Sequence, residues 1–202
     1  SDFQPLPASA FQWETVSNSF WGTTWSKAPS PLTAPDRICR AQPFAGALAK
    51  RVQNLEITVW PEAASPSSVQ QRRSLYCDEY LSEKDQYSYF AGGNPPQLCI
   101  RTPLRNGRRL LLIKDSYANC ILPFLALHYE ELWVTDLRYS HGNLFPLPSA
   151  RNGEAAAGDR SAFTPDASYF TDVLLLYNIQ SFSEDRNLAW LPQLLSPSES
   201  PS

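Results

Sequence analysis

The run Leu110-Leu111-Leu112-Ile113-Lys114-Asp115-Ser116-Tyr117-Ala118-Asn119 decides how this chain is read. Four unbroken aliphatic residues are the mark of a strand buried on both faces, as in a parallel sheet. Polar residues follow at once. Residues 117–128 then repeat apolar side chains at helical spacing, with Pro123 marking a kink or a boundary near the first turns. Residues 131–136 and 172–177 read as a second and a third buried strand. Strand, helix, strand, loop, strand is the order of an α/β protein with a parallel sheet. Ligands collect at the carboxyl ends of such strands. Here those ends carry Lys114-Asp115-Ser116, Asp136-Leu137-Arg138 and Tyr177-Asn178.

Working outward, Leu98-Cys99-Ile100-Arg101 is a short strand, and Asn106-Gly107 predicts a tight hairpin into the next one. Leu55-Glu56-Ile57-Thr58-Val59-Trp60 alternates and stops at Pro61, so it reads as a strand. Ser74-Leu75-Tyr76 is a further short strand. Ala91-Gly92-Gly93-Asn94-Pro95-Pro96 is a strong turn. Residues 1–37, rich in Pro, Ser, Thr and Trp, read as an irregular segment pinned by aromatic side chains. Residues 142–165 read as a surface loop. The sequence expectation is one domain over residues 1–195, with residues 38–100 as a small β-rich insertion and residues 196–202 as a disordered tail.

The chain has 202 residues, 43% hydrophobic and 12% aromatic, which is enough to build a packed core. Seventeen basic against 20 acidic residues give a net charge of −3. That balance offers no field for nucleic acid, so the expectation is no nucleic-acid partner. No apolar run is long enough to span a bilayer. The chain lacks Met and begins Ser1-Asp2-Phe3, which predicts that the native start lies elsewhere.

Cys39, Cys77, Cys99 and Cys120 show no Cys-x-x-Cys spacing, and His128 and His141 are the only imidazoles. A zinc site is not expected, nor any other metal or cofactor. Cys120 falls in the apolar helical pattern and reads as a buried thiol. Cys77 and Cys99 are a candidate disulfide pair.

Ser116 sits where a strand gives way to a helix. Such a corner exposes the hydroxyl and sets free backbone N–H groups beside it, where an oxyanion would form. The same position suits an N-cap serine, and Asp115 suits a cap equally well. A serine nucleophile needs a base. His128 falls at the far end of the same helix. His141, on a Ser-His-Gly-Asn turn, is the better internal candidate, although such a loop histidine is also ordinary surface.

Lys114-Asp115-Ser116-Tyr117-Ala118-Asn119, Pro123-Phe124-Leu125-Ala126 and Asp136-Leu137-Arg138-Tyr139 together resemble the DHHW family of bacterial proteins, relatives of the SGNH-hydrolase-like alginate O-acetyltransferases. Tyr89-Phe90-Ala91-Gly92-Gly93-Asn94, Thr171-Asp172-Val173-Leu174-Leu175-Leu176-Tyr177-Asn178 and Phe20-Trp21-Gly22-Thr23-Thr24-Trp25-Ser26-Lys27 extend the resemblance over most of residues 15–188. It implies an SGNH-hydrolase-like, flavodoxin-like fold, a three-layer α/β domain with a parallel sheet, here lacking its N-terminal portion.

The family's Asp-His-His-Trp motif does not occur in this sequence. The resemblance therefore puts the acid and base before Ser1 and makes Ser116 the catalytic nucleophile. Arg138, Tyr117, Asn119, Gly93 and Asn94 follow as oxyanion or substrate-binding candidates. The alternatives are an ion pair of Arg138 with Asp136 and a plain turn at Gly93-Asn94.

The implied function is serine-dependent O-acetyl transfer or acetyl-ester cleavage on a cell-surface polysaccharide, at an extracellular or envelope location. A membrane-bound acyl-donor protein is a further expected partner. The alternative is a carbohydrate-binding or envelope-assembly module that keeps the fold without catalysis.

Overall fold

The structure, a computed structural model, describes residues 5–22, 25, 32, 34–44, 46–61, 69–140 and 167–194. Strands β1 (Phe11–Phe20) and β2 (Asp36–Pro43) form an antiparallel hairpin of their own. Helix α1 (Ala47–Gln53) leads into β3 (Glu56–Trp60) and β4 (Gln70–Arg72). Then come β5 (Gln97–Arg101), β6 (Arg109–Lys114), α2 (Leu122–Leu125) and β7 (Glu131–Thr135). After the last strand, β8 (Asp172–Leu176), come α3 (Ile179–Glu184) and α4 (Leu191–Leu194).

Six strands make the main sheet in the order β4-β3-β5-β7-β6-β8. β6 runs parallel to both neighbours, with Leu112 opposite Val134 on one side and Leu174 on the other. β5 runs antiparallel to β7 and to β3, and β4 antiparallel to β3. The fold is α/β with a mixed sheet, which corrects the expectation of a parallel one. A central strand buried on both faces carries the same aliphatic run whichever way its neighbour points.

Three further expectations change. Asn106-Gly107 closes no hairpin, because β7 lies between β5 and β6. Residues 38–100 do not form a separate sheet: they supply β3, β4 and β5 to the main one, and only β2 pairs elsewhere. The aromatic segment near the start holds a ten-residue strand, β1, rather than irregular chain.

Apolar side chains cover the sheet on both faces. Leu110, Leu112, Leu132 and Val134 pack with Ile57, Val59, Leu98 and Ile100 under Leu122 and Ala126. Leu111, Ile113, Trp133, Cys99 and Trp60 pack on the other face against Tyr169, Phe170, Tyr177, Leu188 and Leu191. The hairpin reaches over the segment after β6. Its Ile38 and Phe20 pack with Tyr89, Phe90 and Cys120. The Phe11 ring meets Phe124 edge-on at 5.1 Å. β8 departs from its expected burial: Val173, Leu174 and Leu175 are exposed at one end of the sheet. Cys77 and Cys99 are free thiols rather than a disulfide. Residues 142–165 and 196–202, read as a loop and a tail, lie outside the described residues.

Leu112 is fully buried at the centre of the strand that presents Ser116. Leu112→Ala is expected to lower unfolding free energy by about 3 kcal/mol, read from urea melts, because the packed sheet closes little of the space left.

Candidate active site

β6 ends at Lys114, and Asp115 keeps an extended backbone (φ −100°, ψ −175°) before a 3-10 helix over Ser116–Ile121. The buried Asp115 carboxylate caps that helix: its Oδ1 accepts the Tyr117 N–H at 3.0 Å. Its Oδ2 accepts the Asn178 N–H at 2.9 Å and a second bond from the Asn178 side-chain amide. Asn178 in turn caps α3 by accepting the Ser181 N–H at 2.9 Å. One carboxylate thus locks the ends of β6 and β8 together. The capping role open to Ser116 belongs to Asp115. Ser116 is half-buried, and among the described residues its Oγ has no hydrogen-bond partner.

The turn before β5 abuts this corner. Asn119 donates from Nδ2 to the Gly93 carbonyl at 3.0 Å and to Asn94 Oδ1 at 2.9 Å. A 3-10 helix has three residues per turn, so Asn119 stands directly below Ser116 on one face. The two side-chain bonds of Asn119 tie that helix to the Gly93-Asn94 turn. The turn is left-handed over three residues, Ala91 (φ 61°), Gly92 (φ 69°) and Gly93 (φ 92°). The Gly93 N–H is spent on the Ser88 carbonyl at 3.0 Å, so Gly93 is a bracket for Asn119 rather than an oxyanion donor. Asn94 uses its side-chain carbonyl for Asn119, and among the described residues its NH2 has no hydrogen-bond partner. The Tyr117 and Ala118 N–H groups both bond to Asp115. That leaves the Ser116 N–H as the backbone donor at the corner that no described acceptor takes. Tyr117 is 68% exposed, its carbonyl held by the Tyr87 hydroxyl at 3.0 Å.

Charge is concentrated at the same end of the sheet. The buried Asp136 carboxylate holds Arg138 through Nε at 2.9 Å and Nη2 at 2.7 Å, so the ion-pair alternative describes these two atoms. These bonds push the Arg138 guanidinium above its ordinary range. Lys114 Nζ is buried 3.6 Å from Asp136 Oδ2 and makes no hydrogen bond. Burial pulls the Lys114 amine down to about 8 against the opposing pull of Asp136. Beside Arg138 an open cleft is lined by Ser181, Glu184, Asp185, Arg186 and Asn187.

The two histidines fare differently. The His128 carbonyl accepts from Asn106 at 2.9 Å, at the beginning of β6. Five strand steps of about 3.3 Å separate it from Lys114, so it cannot serve Ser116. Burial, with Arg51 and Arg108 nearby, lowers its imidazole pKa. His141 lies outside the described residues. No group of three or more His, Cys, Asp or Glu side chains among the described residues is placed to hold a metal ion. Cys120 is half-buried rather than buried, and its thiol donates to the Tyr117 carbonyl at 3.5 Å.

Two partnerships escape a linear reading. Asn178 shows its N-capping type before α3, but nothing in its spacing announces the bond to Asp115, 63 positions earlier. The Lys114–Asp136 pair joins two strand ends that only the parallel register sets side by side.

No family model matches the chain, and no curated protein matches it. Among solved structures, a DHHW family protein from Eubacterium siraeum DSM 15702 aligns at a TM-score of 0.62 and 23% identity, over 96% of this chain and 56% of that one. PatB1 from Bacillus cereus aligns at a TM-score of 0.61 and 18% identity, over 93% of this chain and 55% of that one. PatB1 with a sulfonyl adduct aligns at a TM-score of 0.60 and 18% identity, over 90% and 51%. The chain shares the fold of these proteins and spans about half their length.

Two measurements check the site. Asp115→Ala is expected to cost about 2–4 kcal/mol of stability, since it strands the N–H groups of Tyr117 and Asn178, whereas Ser116→Ala stays within about 0.5 kcal/mol. Lys114 has a folded pKa of about 8 against an ordinary 10.5. Between those values the unfolded chain binds more protons, so this group's contribution to stability rises with pH. Denaturant melts should show the parent gaining on Lys114→Met across that window.

Proposed function

We propose that Ser116 is the nucleophile of an acyl-transfer site, in the serine-bearing part of an SGNH-like O-acetyltransferase or acetyl esterase. One observation carries the reading. The hydroxyl at the strand-to-helix corner is half-exposed and, among the described residues, unpartnered, because the neighbouring Asp115 has taken over the cap. Serine at a helix start is ordinarily used for that cap. Here it is kept free.

In the proposed reaction Ser116 Oγ attacks the carbonyl carbon of an acetyl ester, and its proton passes to a histidine base held by an aspartate. Both would come from outside the described residues, as the DHHW resemblance implies. The oxyanion is met by the Ser116 N–H and by the Asn94 amide, which Asn119 orients. As the tetrahedral intermediate collapses, the ester bond to the leaving oxygen breaks and that oxygen takes the proton. A sugar hydroxyl or water then attacks the acetyl-serine and restores Oγ. Arg138 presents the edge not used by Asp136 to the cleft, where a sugar oxygen would dock. No cofactor is required.

The same reading makes an acetylated bacterial cell-surface polysaccharide the substrate, a membrane-bound acyl-donor protein a partner in the transferase case, and the envelope or extracellular space the location. A sulfonyl adduct forms when a nucleophile attacks sulfur, so the sulfonyl adduct of PatB1 agrees in chemistry with a nucleophile-bearing fold. A second reading, a carbohydrate-binding or envelope-assembly module, is favoured by Trp13. That ring is 56% exposed beside Phe11 and Phe124, a face suited to sugar stacking.

A sulfonyl fluoride applied to the full-length polypeptide separates the two. Mass spectrometry is expected to find the adduct on the peptide carrying Ser116, and Ser116→Ala to lose both the adduct and about 10⁴-fold or more of acetyl-ester turnover. An unmodified Ser116, with no turnover in the parent or the variant, would leave the binding module; equal turnover in both would move the nucleophile elsewhere.

A further inference from the structure

The β1–β2 hairpin, α1 and α2 meet around a cavity of about 180 Å³. Phe11, Val52, Leu55, Leu75, Pro123 and Phe124 form its walls. Leu55 and Leu75 belong to the buried core, with Val52 packed against it. The Phe11 ring rests edge-on against Phe124. The Tyr76 hydroxyl donates to the Ala41 carbonyl at 2.9 Å and so ties the hairpin down beside the cavity. Each wall is held by contacts of its own, so the fold itself builds the cavity.

Its size and polarity restrict what it can take. A carbon-lined cavity of about 150 Å³ accepts one benzene ring, so this one has room for one ring and not for two. The polar groups along it single out one anchor. The Tyr76 hydroxyl proton is engaged by Ala41, and the Ser74 hydroxyl donates to the Tyr76 carbonyl at 3.0 Å. Arg73 is the charged residue among the described lining. Its side chain is 73% exposed, which puts it at the mouth, and its Nη1 donates to Glu56 Oε1 at 3.4 Å. An exposed ion pair of that length contributes little. The other N–H groups of the Arg73 guanidinium have no partner among the described residues.

We propose that this cavity binds a small monocarboxylic acid with one aromatic ring, the ring between α1 and α2 and the carboxylate on Arg73. A guanidinium holds a carboxylate through two parallel N–H bonds. Glu56 beside Arg73 sets the charge of the ligand. It tolerates one negative charge and opposes the nearly two of a phosphate monoester. Pro123 and Phe124 lie two helical turns past Ser116, so the site is separate from the acyl-transfer corner and the claim does not rest on that reading.

The test titrates the full-length polypeptide with phenylacetate, phenylacetamide and phenyl phosphate, followed by NMR shifts and ligand contacts. Phenylacetate is expected to saturate, to contact Val52, Leu75 and Phe124, and to bind about 10-fold more tightly than the other two. Arg73→Gln, at an exposed position, is expected to remove the preference for the acid over the amide and to leave amide binding unchanged. Val52→Phe, which fills the cavity, is expected to lose binding of both while the far-UV circular dichroism stays that of the parent. Should that variant fail to fold, the Arg73→Gln comparison decides alone. Equal affinity of the parent for acid and amide overturns the proposal, and so does tighter binding of phenyl phosphate. Absence of saturable binding, or binding that survives a folded Val52→Phe, overturns it as well.

Discussion

Everything at the carboxyl end of this sheet is organised by one buried carboxylate. Asp115 follows the central strand, caps the short helix after it, and grips both amides of Asn178 at the end of the neighbouring strand. A carboxylate taken out of water is tolerable only when hydrogen-bond donors surround it. Three N–H groups from two strand ends meet that requirement. The helix start, the strand register and the attitude of Ser116 are held by the same atoms. A hydroxyl that caps its own helix is occupied; a hydroxyl next to a carboxylate that does so is available.

The charges behind this corner form a second layer. Asp136 is gripped by Arg138 from the solvent side and approached by Lys114 from within the protein. The lysine is fully buried and short of acceptors, which makes its charge costly and its amine easier to deprotonate than usual. Arg138 keeps its charge and shows one edge to the cleft. Counted with Asp115, the two cations and the two buried carboxylates at this end of the sheet balance.

Much of the sheet was legible from residue order. β3, β5, β6, β7 and β8 announce themselves as aliphatic or alternating runs, with ends within a residue or two of those observed. Their order and direction were not, because a strand buried on both faces has the same composition beside a parallel or an antiparallel partner. β1 was hidden because its mostly exposed Trp, Glu, Thr and Ser residues look like loop. At the site, Ser116 and Asp115 are adjacent residues that both cap helices well; only the extended backbone of Asp115 assigns the cap. Asn119 is tied to Gly93 and Asn94, whereas Tyr117 faces solvent and the Arg138 bonds go to Asp136.

At Ala91 the backbone and the side chain ask for opposite things. Its φ of 61° is glycine territory, yet its methyl is buried among Leu75, Leu98 and Leu122. Glycine would relieve about 1 kcal/mol of left-handed backbone and forfeit about 0.8 kcal/mol of buried methyl, nearly a tie. Any larger residue loses on both counts. Only the two smallest residues suit this position, and Gly92 beside it admits no side chain, because a Cβ there would collide with the Arg72 guanidinium; the bracket that carries Gly93 and Asn94 thus rests on two successive positions with almost no latitude.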